Sequence, residues 1–283
     1  MRKGLLLFIL GLTLLGACER EENQGETNGS RPAATAAPVA VTPAAAEVAF
    51  PTSGGLTLRG TLYGSSERAV IFAHEPNSDR RDWQPLAVEL ATRDYMALVF
   101  DMRGHGESEG PLMLSLIRDD IEAAIDFVEA RGADAYVLVG SDYGGMETIH
   151  VAAERDPAAV VLISVPERVT FSFLERRVRD EELQQIDAPA LLIVAEDDQP
   201  TFTNEASGVT VEGPDYHQAM TNIRDRMGEP VEFIVLDGSA HGRRLLDSAQ
   251  RDELISSVIQ FIEHHVPPAQ QRAAPDEDRD QWG

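Results

Sequence analysis

Val139-Gly140-Ser141-Asp142-Tyr143-Gly144-Gly145 joins an apolar run to a helical pattern. A residue held on such a sharp strand-to-helix turn needs small residues two positions before it and two after it. Around Asp142 both positions are glycine, whereas around Ser141 they are a valine and a tyrosine. The stretch therefore predicts that the side chain of Asp142 projects from the turn. Ser141 remains the alternative.

On both sides of this turn, short apolar runs alternate with helical patterns, which is typical of a mostly parallel sheet covered by helices on both faces. The later runs are almost entirely apolar, as expected of strands buried on two sides. We expect strands at residues 56–63, 69–73, 97–100, 135–139, 159–164, 190–195 and 231–236. We expect helices at residues 83–93, 116–131, 145–155, 215–227 and 249–265.

Four further motifs follow predicted strands in a fixed order. They are Phe72-Ala73-His74-Glu75-Pro76, the loop from Phe100 to Ser108 with Arg103-Gly104-His105-Gly106, the acidic end of Leu192 to Asp198, and Leu236-Asp237-Gly238-Ser239-Ala240-His241-Gly242. With the turn at Asp142, this order resembles the α/β-hydrolase superfamily over residues 47–265. The resemblance implies an α/β-hydrolase fold with little or no cap domain.

The resemblance also implies roles for individual residues. Asp142 occupies the nucleophile position, His241 is the base, and Asp198 is the acid that orients His241, with Asp197 as the alternative acid. The backbone N–H groups of Glu75 and Tyr143 are the expected oxyanion donors. The remaining loop histidines, His74 and His105, are expected to be structural.

An aspartate in this position departs from the serine esterases and resembles the elbows of epoxide hydrolases and haloalkane dehalogenases. In those families the carboxylate attacks an electrophilic carbon, and a histidine-activated water cleaves the resulting ester. The resemblance is incomplete, because residues 165–188 leave no room for their cap domain and contain no tyrosine or tryptophan. Tyr143 stands where dehalogenases carry a halide-binding tryptophan, and Glu75 replaces a usual glycine.

Three functions follow from these residues. The first is a hydrolase that acts on a small neutral ester, epoxide or halide through Asp142, His241 and Asp198, without a cofactor or metal. The second is a non-catalytic α/β-hydrolase-fold envelope protein that has lost its serine nucleophile. The third is an esterase that uses Ser141 as its nucleophile after a local rearrangement. The net charge of −24 disfavours anionic substrates and nucleic acid as a partner, and the oligomeric state stays open.

The chain opens with a basic start, an apolar stretch and Leu15-Gly16-Ala17-Cys18, which resembles the lipobox of bacterial lipoproteins. We therefore expect a signal peptide at residues 1–17 and lipidation of Cys18, the only cysteine. We further expect a disordered tether at 18–46, a hydrolase domain at 47–266 and a disordered tail at 267–283. This predicts a protein anchored by lipid to a membrane of the bacterial cell envelope, on the exported side.

The segment between Asp198 and Pro230 is longer than the family needs to reach the last strand. Its apolar and aromatic residues predict either a flap over the site or a surface excursion, and the sequence does not decide between them. The residues in question are Phe202, Val209, Val211 and Tyr216.

Overall fold

The computed structural model describes residues 43–171, 174–204 and 209–268. Its strands are β1 (Ala45–Pro51), β2 (Thr57–Tyr63), β3 (Arg68–Ala73), β4 (Met96–Asp101), β5 (Ala135–Ser141), β6 (Ala159–Ile163), β7 (Arg168–Phe171), β8 (Leu174–Arg177), β9 (Ala190–Ala195), β10 (Thr201–Asn204), β11 (Val209–Glu212) and β12 (Val231–Leu236). Its α-helices are α1 (Gln84–Ala91), α2 (Ile117–Glu129), α3 (Asp142–Ala152), α4 (Asp180–Gln185), α5 (Tyr216–Arg224) and α6 (Arg251–His265).

Eight strands form one sheet in the order β1-β2-β4-β3-β5-β6-β9-β12. The strands from β4 to β12 in this order are parallel, and β1 and β2 add an antiparallel edge. The predicted parallel sheet with helices on both faces is therefore confirmed. In such sheets, ligands bind beyond the carboxyl ends of the strands, and the loops that carry the motifs all lie there.

Two apolar clusters pack against the two faces of the sheet. One contains buried residues of α2, α3, α4 and α5, and the other contains buried residues of α1 and α6. Alternate residues of β5 contribute to opposite clusters, Leu138 to the first and Val137 and Val139 to the second. This alternation follows from the two-residue period of a strand. The alternation therefore decides on which face of the sheet each side chain at the end of β5 lies.

The structure differs from the sequence-based expectation at the edges of the fold. β1 begins at Ala45, inside the segment 18–46 that was expected to be tether. The sequence also did not predict the hairpin β7–β8, the hairpin β10–β11 or the short α4. Between β6 and β9 the described residues form only β7–β8 and α4, which agrees with the expected lack of a large cap.

The predicted signal peptide, Cys18 and most of the tether lie outside the described residues, as does nearly all of the predicted tail. Within the described part of the chain, no helix has both the length and the apolar character needed to cross a bilayer.

Candidate active site

Asp142 stands at the turn between β5 and α3 with a backbone φ of +46°. This left-handed conformation is uncommon for a residue with a side chain, and it lifts Asp142 out of the line of the strand. A Cβ on Gly140 would lie 2.7 Å from the Cα of Gly145, and a Cβ on Gly144 would lie 2.7 Å from the carbonyl oxygen of Ala73. Both glycines are therefore required by close backbone approach, as the spacing predicted.

Ser141 points into the protein interior. It is the last residue of β5, its side chain is fully buried, and its Oγ has no hydrogen-bond partner among the described residues. By strand alternation it shares a face with Val137 and Val139, which pack towards α1 and α6. This placement favours Asp142 over Ser141 as the side chain presented at the turn.

His241 lies between two carboxylates. Its Nδ1 is 2.9 Å from Oδ1 of Asp198, and its Nε2 is 3.9 Å from Oδ2 of Asp142. Because a carboxylate accepts and does not donate, Nδ1 carries a proton, which leaves Nε2 facing Asp142. Asp198 is buried, whereas the side chains of His241 and Asp142 retain 14% and 20% of their exposure. Solvent or a small molecule therefore reaches Asp142 and His241 but not Asp198.

Asp197, the alternative acid, does not take this position. Its side chain is exposed, and its backbone N–H donates to the carbonyl of Gly238. Asp198 is instead held by Ser164, whose Oγ donates to Oδ2 of Asp198 at 2.6 Å and accepts from the backbone N–H of Gly242 at 3.0 Å. Ser164 follows β6 and was not singled out from the sequence, because it belongs to none of the motifs.

Tyr216, at the start of α5, completes the surroundings of Asp142. Its hydroxyl donates to Oδ1 of Asp142 at 3.1 Å, and its ring centroid lies 4.2 Å from that of His241. Burial, and then the charge of Asp142, raise the pKa of Tyr216 above its usual value. Of the four residues named for a flap, Tyr216 thus packs against the site. The structure does not describe the side chains of Phe202, Val209 and Val211.

Glu75 directs its carboxylate into the same space. One carboxylate oxygen each of Glu75 and Asp142 and a ring nitrogen of His241 lie within 4.8 Å of one another. Gly242 has a φ of +51°, and a Cβ at that position would overlap Oε2 of Glu75. These three side chains are close enough together to bind a metal ion. One oxygen of Asp142, however, already accepts a hydrogen bond from Tyr216.

Burial and the charges of the site also alter the pKa values of His241 and Glu75. Burial lowers the pKa of His241, but its contacts with Asp142 and Asp198 outweigh burial and raise the pKa to about 10. Burial also raises the pKa of Glu75, and although the nearby His241 opposes this, the value reaches about 7. In the resting protein, His241 is therefore an imidazolium between two carboxylates, and Glu75 exchanges its proton near neutral pH.

The two remaining histidines of the motifs support loops. Nε2 of His74 accepts the backbone N–H of Met102 at 3.0 Å, and Nδ1 lies 2.8 Å from the carbonyl of Glu75. Burial lowers the pKa of His74 to about 4, so the ring is neutral. His105 likewise contacts backbone carbonyls, among them that of Pro76 at 2.7 Å.

The expected oxyanion donors lie at the ends of the elements that frame Asp142. Tyr143 is the second residue of α3, where backbone N–H groups have no partner inside the helix, and Glu75 follows β3. The side chain of Tyr143 is buried, and its hydroxyl donates to the carbonyl of Leu114 at 3.0 Å. It therefore packs in the core rather than at the position of a halide-binding group.

Comparison with known proteins shows which family the chain resembles. The model of the alpha/beta hydrolase family matches residues 70–275. The protein YfhR of Salmonella typhimurium is 36% identical over 115 residues, which are 37% of this chain and 39% of YfhR. An epoxide hydrolase of Caballeronia sordidicola is 31% identical over 121 residues, 40% of this chain and 36% of the relative. The aligned segments thus span well under half of these relatives.

Solved structures show the same fold at low identity. An esterase of Pyrococcus furiosus superposes with a TM-score of 0.64 at 20% identity, covering 79% of this chain and 92% of that one. The esterase Est1E of Butyrivibrio proteoclasticus, solved with ferulic acid, superposes with a TM-score of 0.61 at 16% identity, covering 77% and 99%. Since the family model matches well over half of the sequence, the chain belongs to the alpha/beta hydrolase family.

Proposed function

We propose that this protein is a hydrolase in which the carboxylate of Asp142 attacks an electrophilic carbon of a small neutral substrate. The observation that carries the proposal is the position of this carboxylate on the elbow, 3.9 Å from Nε2 of a histidine that Asp198 orients. A carboxylate is already ionised at neutral pH and needs no base to act as a nucleophile. Among the small electrophiles expected from the sequence, we propose an epoxide, because a relative with partial coverage is named an epoxide hydrolase.

In the first step, Oδ2 of Asp142 forms a bond to a ring carbon of the epoxide. The carbon–oxygen bond of the ring breaks, its electron pair stays on oxygen, and that oxygen takes a proton. Asp142 becomes a neutral ester. Because the charge of Asp142 is one cause of the raised pKa of His241, this step lowers the pKa of His241. Nε2 then passes its proton to the group that protonated the substrate oxygen, and can act as a base.

In the second step, water attacks the ester carbonyl of Asp142 while Nε2 of His241 takes a proton from it. Tyr216 donates to Oδ1, which is the carbonyl oxygen of that ester and carries negative charge as water adds. The backbone N–H groups of Glu75 and Tyr143 are the further proposed donors to this oxygen. Collapse expels the alkoxide, which takes the proton held by His241 and becomes the diol. The proton that remains on the carboxyl group of Asp142 then passes to His241, which restores the carboxylate and the imidazolium.

The test is to trap the ester on the full-length chain. His241→Ala leaves Asp142 free to attack but removes the base of the second step, so styrene oxide should add one alkyl group to the peptide that contains Asp142. Mass spectrometry of intact protein and of peptides measures this. The matched control is Ser141→Ala in the same background, which should retain the adduct, whereas Asp142→Ala should abolish it.

Absence of any adduct on Asp142, together with wild-type turnover that survives Asp142→Ala, would contradict the proposal. Absence of both adduct and turnover with styrene oxide and with alkyl halides would favour the non-catalytic alternative instead.

We also propose that the mature protein is held at a membrane of the bacterial cell envelope by a lipid on Cys18. The support for this is the Leu15-Gly16-Ala17-Cys18 sequence after a short apolar stretch. The folded domain would then lie on the exported side, at the end of a tether that finishes where β1 begins, at Ala45.

A further inference from the structure

The proposed hydrolysis assigns a role to the backbone N–H of Glu75 but none to its acidic side chain. It follows β3, its side chain is 11% exposed, and one of its carboxylate oxygens lies within 4.8 Å of a carboxylate oxygen of Asp142 and of a ring nitrogen of His241. Gly242 makes the room for it, since any side chain there would collide with Oε2. Burial of a carboxyl group without a full set of partners costs free energy. We therefore ask what function Glu75 serves beside the nucleophile.

The first step of the proposed mechanism needs a proton for the leaving oxygen. Tyr216 has a single hydroxyl proton, and it is donated to Oδ1 of Asp142. His241 is a weak acid in the resting protein, because the neighbouring carboxylates raise its pKa to about 10. A proton donor works best when its pKa lies near the working pH, and among these three groups only Glu75, at about 7, meets that condition.

We propose that the carboxyl group of Glu75 donates the proton to the leaving oxygen of the substrate, an inference that rests on the proposed function. Oδ2 of Asp142 bonds to carbon, the carbon–oxygen bond breaks, and the proton of Glu75 moves to the oxygen. The carboxylate left on Glu75 then accepts the proton that His241 loses once Asp142 is esterified. Both groups regain their resting protonation when His241 takes the proton of the newly formed Asp142 carboxyl group.

The groups around Glu75 hold its proton in balance. Burial and the charge of Asp142 favour the protonated form, while His241 and Arg243 favour the charged form. Nε of Arg243 is 3.7 Å from Oε1 of Glu75, but it lies closer to Asp82, at 3.1 Å. The guanidinium is therefore shared with another carboxylate, which leaves Glu75 only partly neutralised. The backbone N–H of Arg243 donates weakly to Oε2 at 3.4 Å, and Tyr216 faces the same space.

The test compares two electrophiles that differ in their need for a proton. In full-length protein carrying His241→Ala, the rate of adduct formation on Asp142 is measured with styrene oxide, whose oxygen must be protonated, and with benzyl bromide, whose bromide leaves unaided. Adding Glu75→Gln should lower the styrene oxide rate by about 10²-fold relative to the benzyl bromide rate. Glu175→Gln, on an exposed face of β8, is the matched control and should change neither rate.

Each other outcome overturns the inference in a recognisable way. Equal slowing with both reagents would show that Glu75 supports the fold of the site rather than donating a proton. Loss of the styrene oxide reaction in His241→Ala alone, with benzyl bromide still reacting, would assign the proton to His241. A selective loss caused by Tyr216→Phe and not by Glu75→Gln would assign it to Tyr216. Failure of both reagents to modify Asp142 would overturn the proposed function and this inference together.

Discussion

At the scale of single residues, one imidazole is shared by three carboxyl groups with different surroundings. Asp198 is buried and bonded by Ser164, so it stays in place and orients His241. Asp142 is reachable and faces Nε2 of His241. Glu75 is buried without a full counter-charge, and its pKa rises to about 7. Environment alone thus separates the proposed roles of orienting acid, nucleophile and proton donor among chemically similar side chains.

The raised pKa of Glu75 predicts a pH-dependent cost to stability. Its folded value of about 7 lies above the ordinary 4.5, so the proton favours the folded state. That contribution is complete below pH 4.5 and is lost as pH rises through 7. The free energy of unfolding of wild type should therefore fall between about pH 4 and about pH 8 by up to about 3 kcal/mol more than that of Glu75→Gln.

Urea denaturation of both proteins at the two pH values measures this difference. Glu175→Gln is again the control, and its difference from wild type should not change with pH. A Glu75→Gln difference that is the same at both pH values would contradict a raised pKa of Glu75.

At the scale of elements, the site depends on how closely α3 approaches β3. Gly144 lies against the carbonyl oxygens of Ala73 and His74, which are backbone atoms and cannot turn aside. Gly144→Ala should therefore push the first turn of α3 away from β3 and destabilise the fold by about 2–3 kcal/mol. It should also lower turnover, since Asp142 starts this helix. Thermal denaturation and kinetics of the purified variant measure both effects.

Gly54→Ala is the matched control for this substitution. Gly54 has an ordinary φ, and the nearest atom to an added Cβ is Oγ1 of Thr52 at 3.8 Å. This variant should behave as wild type. A Gly144→Ala protein as stable and active as Gly54→Ala would show that α3 can shift without cost.

The sequence predicted those elements whose apolar pattern is strong. β9 is buried along its whole length, and β12, although an edge strand with only Leu236 buried, is still mostly apolar in sequence. The bounds of both strands were predicted without error. β1 was missed because only Phe50 among its seven residues is buried. β7 and β8 were missed because each has only four residues and together they carry several charges, so no alternation of apolar and polar residues marks them.

The site was predictable where it follows motifs and not where it depends on packing. Asp142, Asp198 and His241 each end or follow a strand within a motif, and the fold brings them together. The contact between Tyr216 and Asp142 joins residues 74 apart in sequence, and no local pattern records such a contact. Ser164 also has no motif around it, although its hydroxyl connects Asp198 to the loop of His241.

At the scale of the whole molecule, charge and anchoring make separate contributions. The net charge of −24 opposes adsorption of the domain to anionic headgroups. The proposed tether between Cys18 and β1, treated as a random coil, would have an end-to-end distance of roughly 30 Å. The proposed lipid on Cys18 would therefore hold the domain near the membrane, while the negative charge opposes contact with anionic headgroups.

This arrangement predicts that membrane association depends on Cys18 and not on salt. The wild-type protein should remain in the membrane fraction at high salt, and its intact mass should correspond to a chain that starts at Cys18 and carries acyl groups. Cys18→Ser should abolish acylation and leave residues 1–17 attached, because processing of a lipoprotein requires the modified cysteine. Ser30→Ala, in the proposed tether, is the control and should be processed as wild type. An unmodified mature chain that starts at another residue, or release of the wild type by salt, would contradict the anchor, because screening weakens electrostatic contacts but not the insertion of acyl chains.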